Sequence, residues 1–171
     1  GIANHLEQIL ETASLMKEYN VLFLLIGQGM EKSRLKSIAT NLKLNNVVFI
    51  DPVPKSEIFK YILASDVGCS VLKNVDTFKT VYSNKTFDYM SCKKPVLMAI
   101  DGVSRALIEE ANAGLYVEPE NPKDFKEKIL FYMNNLPILI EHGKNGYIFA
   151  KSNFDRTKLA KKYINDIKSI L

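Results

Sequence analysis

Residues 83–96, SNKTFDYMSCKKPV, place a cation and an acid three positions apart at the start of a short apolar-periodic run. Ser83 and Asn84 are residue types that cap helices. A helix opening there presents unpaired backbone N–H groups and the positive end of its dipole. Lys85 adds a full charge at the same end, and Lys73 and Lys79 lie in the polar stretch just before it. Fixed N–H donors with cations around them suit a diphosphate. Asp88, one turn further on, suits a diol such as that of a ribose. The plainer alternative is an ordinary i,i+3 Lys85–Asp88 pair on a solvated helix, worth about 0.2–0.5 kcal/mol.

A second candidate is Gly27-Gln28-Gly29, which closes the apolar run VLFLLIG. A dinucleotide fingerprint needs a third glycine at position 32, where this chain has Lys32. An acid, Asp51, does end the next apolar segment, followed by Pro52, Val53 and Pro54. The pattern therefore reads either as a nucleotide loop or as a tight strand-to-helix turn that uses glycine for its dihedrals. Cys69 and Cys92 stand at no metal-ligand spacing from His5 or His142, so no metal site is expected. The thiols read as buried and reduced, in a cytosolic setting. The two histidines read as surface or capping residues, and no catalytic residue can be named.

These residues must be positioned by the elements around them. Residues 4–18 repeat apolar side chains at helical spacing, and 21–27 form a continuous apolar run, read as a strand buried on both faces. Strands are predicted near 21–26, 46–50, 67–72, 95–99 and 115–118, alternating with helices. That alternation predicts an α/β, doubly wound, Rossmann-like parallel sheet in three α/β/α layers, with right-handed crossovers. Ligands of such sheets bind beyond the carboxyl ends of the strands. Both candidate stretches fall there. Residues 120–171 read as helical only, an appendage to a single domain spanning 1–171. Its last helix, 154–170, carries a stripe of Leu159, Tyr163, Ile167 and Ile170 through which it is expected to pack.

Length and composition bound the function. A chain of 171 residues with 47% hydrophobic content is one domain with ample core. A net charge of +4 permits an anionic small molecule, and no basic run alternates with aromatics as nucleic-acid binding would require. No apolar run reaches the length of a membrane span and no leader opens the sequence, so a cytoplasmic location is expected. Peripheral attachment at the inner face of a membrane is compatible with this.

The order of segments resembles the C-terminal, donor-binding domain of a retaining GT-B glycosyltransferase of the family-4 type. The resemblance rests on VLFLLIGQGMEKSRLKSIATNLKLNNVVFIDPVPKSEIFKYILASDV, on SNKTFDYMSCKKPVL, on AGLYVEPENPKDFKEKI and on the opening GIANHLEQILETA. It covers nearly the whole chain. It implies that Asp88 holds the nucleotide ribose and that Ser83, Asn84 and Lys85 meet the donor diphosphate. It further implies that Asp51, Pro52 and Val53 frame the base and that Gly27 and Gly29 form the family's G-x-G turn. The implied reaction transfers a hexosyl group from a nucleotide-diphosphate sugar, UDP-linked and of the N-acetylhexosamine type. The acceptor would be a glycan or lipid-linked molecule in surface-polysaccharide or lipopolysaccharide synthesis. No cofactor is implied. Three departures stand out: Thr80 occupies the place of a second glutamate, Lys93 that of a glycine, and the chain opens at the first helix. The resemblance implies a preceding strand at the sheet's centre, between the first and fourth strands, and a separate N-terminal acceptor domain. Without that domain the chain is expected to bind donor but not to transfer. Two other classes stay open, a non-catalytic nucleotide-binding module and an NAD-type dinucleotide domain.

Overall fold

The structure is a computed structural model and describes residues 3–169. Five short strands alternate with helices in chain order: α1 (Glu7–Leu15), β1 (Phe23–Ile26), α2 (Lys32–Asn41), β2 (Val47–Ile50), α3 (Lys55–Ala64), β3 (Gly68–Val71), α4 (Asn84–Ser91), β4 (Val96–Ala99), α5 (Val103–Glu110), β5 (Gly114–Tyr116) and α6 (Pro122–Asn134). α7 (Leu136–Asn153) and α8 (Arg156–Lys168) complete the chain, and a 3-10 turn over Asp76–Thr80 breaks the loop before α4. Every strand pair is parallel, as the alternation of elements requires.

β4 shows why the fold has two covered faces. All four of its residues are buried. Leu97 and Ala99 point into a core shared with Ile9 and Met16 from the first helical segment and Phe125 from α6. Val96, Met98 and Ile100 point the other way, against Met90 of α4 and Ile108 of α5. Side chains of a strand alternate between faces, so a continuous apolar run is what a doubly covered strand needs. Among the described residues no helix is long and apolar enough to cross a membrane.

The sheet runs in two ladders, β1–β2 and β3–β4–β5. The larger core joins them, since Phe23 of β1 packs in the same cluster as Val71, Leu97 and Val117. This corrects the expected place for an additional central strand. Both edges of β4 are taken, by β3 and β5, so no strand can enter beside it. Among the described residues β1, β2, β3 and β5 each keep one unpaired edge. The first apolar run is also not buried on both faces: Leu24 and its ladder partner Val48 are exposed.

The stretch after residue 120 is only partly an appendage. Phe125 and Tyr132 of α6 are fully buried, and α7 lies against α4. α8 alone stands off, with none of its residues buried. Leu159, Tyr163 and Ile167 are exposed instead of packed, and Ile170 lies outside the described residues. His142 is buried rather than at the surface, its Nδ1 2.8 Å from the Tyr132 hydroxyl.

Candidate functional site

The turn after β1 begins with Gly27 at φ 142°, a conformation that L side chains rarely adopt. Its N–H donates to the Ile50 carbonyl at 3.1 Å and so carries the β1–β2 ladder one step past the strands. Lys32, in the first turn of α2, folds back across this strand end. Its ammonium donates to the Gly27 carbonyl at 2.8 Å, to the Ile50 carbonyl at 3.2 Å and to Asp51 Oδ1 at 2.8 Å. The Asp51 carboxylate is exposed, yet the Lys32 hydrogen bond and charge hold its pKa below the ordinary value. Gly29 accepts the Lys32 backbone N–H at 3.0 Å. Asp51, Pro52 and Val53 then run to Pro54, the residue that precedes α3. Gly27, Gly29 and Asp51 are therefore brought together, but through a lysine in the place where a dinucleotide loop needs glycine.

α4 is fixed from its buried side. Thr86 and Ser70 of β3 are both fully buried and share a hydroxyl–hydroxyl hydrogen bond of 3.0 Å. The ring of Tyr89 fills the space that any side chain on Gly68 would need. These contacts set which side of the first turns remains free for a ligand. Ser83 stands at the cap position with its carbonyl accepting from the Thr86 N–H, but its hydroxyl makes no cap hydrogen bond, and neither does Asn84. The capping expected of Ser83 or Asn84 is thus not realised. Among the described residues, no protein group accepts from the N–H of Asn84 or Lys85, so the helix start keeps free donors.

Lys85 and Asp88 do not pair with each other. The Lys85 ammonium donates to Asn4 Oδ1 at 3.3 Å. Its side chain keeps contact with solvent, but the protein atoms around the ammonium strip enough hydration to lower its pKa, with the nearby Cys69 acting weakly in the opposite sense. Asp88 is half-buried, and its carboxylate has no ion-pair partner among the described residues. The plain surface-pair alternative for this motif is therefore not what the chain builds.

Other expected contributors fall away. Lys79 pairs with Asp76 at 2.9 Å, which raises the lysine pKa. The recess beside it, lined by Lys73, Phe78 and Asp101, measures about 10 Å³, too small for a phosphate. Thr80 turns its hydroxyl to the Thr77 carbonyl. A surface depression of about 590 Å³ lies elsewhere, between Glu11, Leu15, Leu42 and Glu118–Lys123. Three of its residues are glutamates (11, 118 and 120), which disfavour a diphosphate there. The Cys69 thiol is pushed up to about 12 by burial, which makes it inert as a nucleophile.

Two residues were missed from the sequence. Asn4 reaches Lys85 across 81 positions, and no local pattern could have linked them. Lys32 did carry a signal, because it interrupts a glycine pattern at a place from which its side chain reaches both strand ends. Among the described residues no hydrogen bond or ion pair joins the Lys32 group to the α4 group. What they share is position: each follows the carboxyl end of a parallel strand, where an α/β sheet accepts ligands.

The chain is 24% identical over 165 residues to the uncharacterized glycosyltransferase MJ1069 of Methanocaldococcus jannaschii, covering 95% of this chain and 40% of that protein. It spans about two fifths of the length of the curated relatives it matches. Its fold matches HepE of Anabaena, solved with UDP, at a TM-score of 0.86, with 18% identity, 99% of this chain and 46% of that chain covered. It matches the C-terminal domain of the group 1 family protein LpcC of Francisella tularensis at 0.75, with 16% identity, 90% and 81% covered. These neighbours share the GT-B glycosyltransferase architecture. Residues 3–147 match the family described as glycosyl transferases group 1, and the chain belongs to that family.

Proposed function

We propose that this chain is the donor-binding domain of a retaining, family-4-type glycosyltransferase that uses a UDP-linked hexose. The observation that carries the reading is the start of α4: N–H donors without a protein acceptor among the described residues, and a Lys85 turned away from an Asp88 that has no ion-pair partner among them. In this reading the Asn84 and Lys85 amides and the Lys85 ammonium hold the diphosphate. They also stabilise the charge that grows on it as the sugar leaves, which fixed donors do without reorganising. Ser83 contributes its place at the helix start. Asp88 accepts from the ribose hydroxyls, Asp51–Val53 frame the base, and Gly27 and Gly29 shape the wall between. The diphosphate charge is met by protein groups, with no metal and no cofactor assigned.

The UDP complex of HepE supports uridine as the base. The N-acetylhexosamine, the glycan or lipid-linked acceptor and a role in surface-polysaccharide synthesis rest on the motif resemblance. The relatives' greater length supports placing the acceptor on a second, N-terminal domain, with this chain acting as a single donor-binding unit at the cytoplasmic side of a membrane. The NAD-type alternative is disfavoured by Lys32, which occupies the third-glycine position and already claims Asp51.

Calorimetric titration with UDP and pyrophosphate tests the site. A charge-assisted hydrogen bond is worth about 1.5–3 kcal/mol, and asparagine keeps its shape but loses its charge, so Asp88→Asn should lose part of that and weaken UDP about tenfold. The same change should spare or slightly improve pyrophosphate, because it removes a neighbouring negative charge. Lys85→Ala should weaken both ligands. If both variants bind both ligands like the parent, the site assignment fails.

A further inference from the structure

We infer that Lys32 is a positioning residue for base recognition: by bridging Gly27, Ile50 and Asp51 it fixes the direction in which residues 51–53 leave the sheet. The inference rests on the reading of that segment as the base frame and adds the group that holds it in place. An ammonium has three protons to donate, and here all three have acceptors, at 2.8, 3.2 and 2.8 Å. Lys32 is therefore not a free cation waiting for phosphate. Its charge is spent on two backbone carbonyls and a carboxylate that converge at the end of the β1–β2 ladder. Without a cation between them the three acceptors repel each other, and the bond from the Gly27 N–H to the Ile50 carbonyl is left to hold the strand end without that support.

The segment that follows is stiff. Pro52 and Pro54 each fix their own φ near −65°, and each confines the residue before it, Asp51 and Val53, to extended backbone. A stiff segment takes its direction from its base, and its base is Asp51, held by Lys32. The lysine side chain is only 13% exposed while the Asp51 carboxylate it holds is 88% exposed, so the lysine braces from beneath the acid that a base would touch. Two strands that end in coil are thereby converted into one rigid wall. Only the base half of a nucleotide would meet this wall, because the diphosphate is assigned to α4.

The test separates those halves. UDP, uridine and pyrophosphate are titrated by calorimetry into the parent chain, Lys32→Met, Lys32→Arg and Asp51→Asn. Lys32→Met should lose about tenfold in UDP affinity, the worth of one charge-assisted contact, with a parallel loss for uridine. Pyrophosphate affinity should be unchanged, and Lys32→Arg should recover most of the UDP affinity. Asp51→Asn keeps the lysine's backbone contacts and should show the same split at about threefold; it carries the test if Lys32→Met does not fold. UDP affinity unchanged in both Lys32→Met and Asp51→Asn overturns the inference. So does an equal loss of UDP and pyrophosphate, which marks a general structural role. A parent chain that binds pyrophosphate no less tightly than UDP overturns the base frame and this inference with it. A parent that binds neither overturns the donor site itself.

Discussion

α7 and α8 are consecutive amphipathic helices, and only one of them is part of the fold. α7 carries exposed apolar residues of its own, Leu136, Ile140 and Ile148. It is nevertheless tied down along its length. Ile138 and Leu139 pack on the larger core, while Phe149 and Ala150 pack on the smaller one. α8 has an equally regular stripe, Leu159, Tyr163 and Ile167, and buries none of it. Asp155 caps it well, accepting from the Thr157 and Lys158 amides at 2.9 and 3.0 Å, so local helix chemistry is not what it lacks. The last anchored side chain before it is Phe154, whose ring centroid lies 4.9 Å from that of Phe87.

The difference lies in how closely the backbones can approach. Gly143 sits directly on the carbonyl of Lys93, at the C-terminal end of α4, and Gly146 sits over Ala113 and Met90. Lys93 itself holds φ 57°, in the left-handed region, and its N–H and that of Lys94 return to Met90 and Tyr89 at 3.0 Å each. That is a Schellman turn made without glycine. It points the Lys93 carbonyl at α7 and lays the lysine's ammonium 5.1 Å from the Tyr147 ring centroid. The comparison teaches that an apolar stripe shows which face would pack, while small residues decide whether the helix can reach its neighbour.

Gly143→Ala breaks the comparison most directly. In an isolated helix this change would stabilise by about 0.8–1 kcal/mol. Here the new Cβ collides with a backbone carbonyl, which puts the cost at the upper end of the usual range of about 1–3 kcal/mol for overpacking, so net destabilisation of about 2 kcal/mol is expected in urea unfolding. A stabilised variant would mean that α7 is not held by close approach.

Next in size is the polar anchor that α8 also lacks. Tyr132→Phe leaves His142 Nδ1 buried without a partner and should cost about 1–2 kcal/mol at pH 7. Burial holds the His142 pKa below its ordinary 6.5, so the unfolded chain binds this proton first. The resulting stability is complete above pH 6.5 and is lost as pH falls toward the lowered folded value. The lowered carboxylates Asp51, Asp76 and Asp155 act with the same sign, but only around and below 3.8. Denaturation at pH 7 and pH 5 should therefore show a loss that His142→Gln removes. A flat parent profile over that interval would count against a neutral buried histidine.

The smallest effect belongs to α8. Leu159→Ser with Ile164→Ser should change stability by less than about 0.5 kcal/mol, since both side chains are already exposed. Amides of 156–168 should exchange hydrogen ahead of those in α7. Slow exchange there would show that the helix has found a surface to pack on.

The sequence alone determined the elements and their order. Continuous apolar runs ending at Gly27, Asp51 and Asp101, with amphipathic helices between them, leave a parallel sheet as the arrangement that buries both faces of β4. It also located the start of α4, because capping types followed by a cation and an acid are a local pattern that depends on few neighbours. Tertiary structure decided everything that required a partner distant in the chain. Whether Lys85 pairs with Asp88 or with Asn4, whether Lys32 is a surface charge or a clamp, and whether His142 is exposed or buried on Tyr132 all depend on which segments meet in space. The same holds for the break between the two ladders and for the different fates of α7 and α8. Periodicity reports the face a segment would bury, and it cannot report whether another surface of matching shape comes within van der Waals reach.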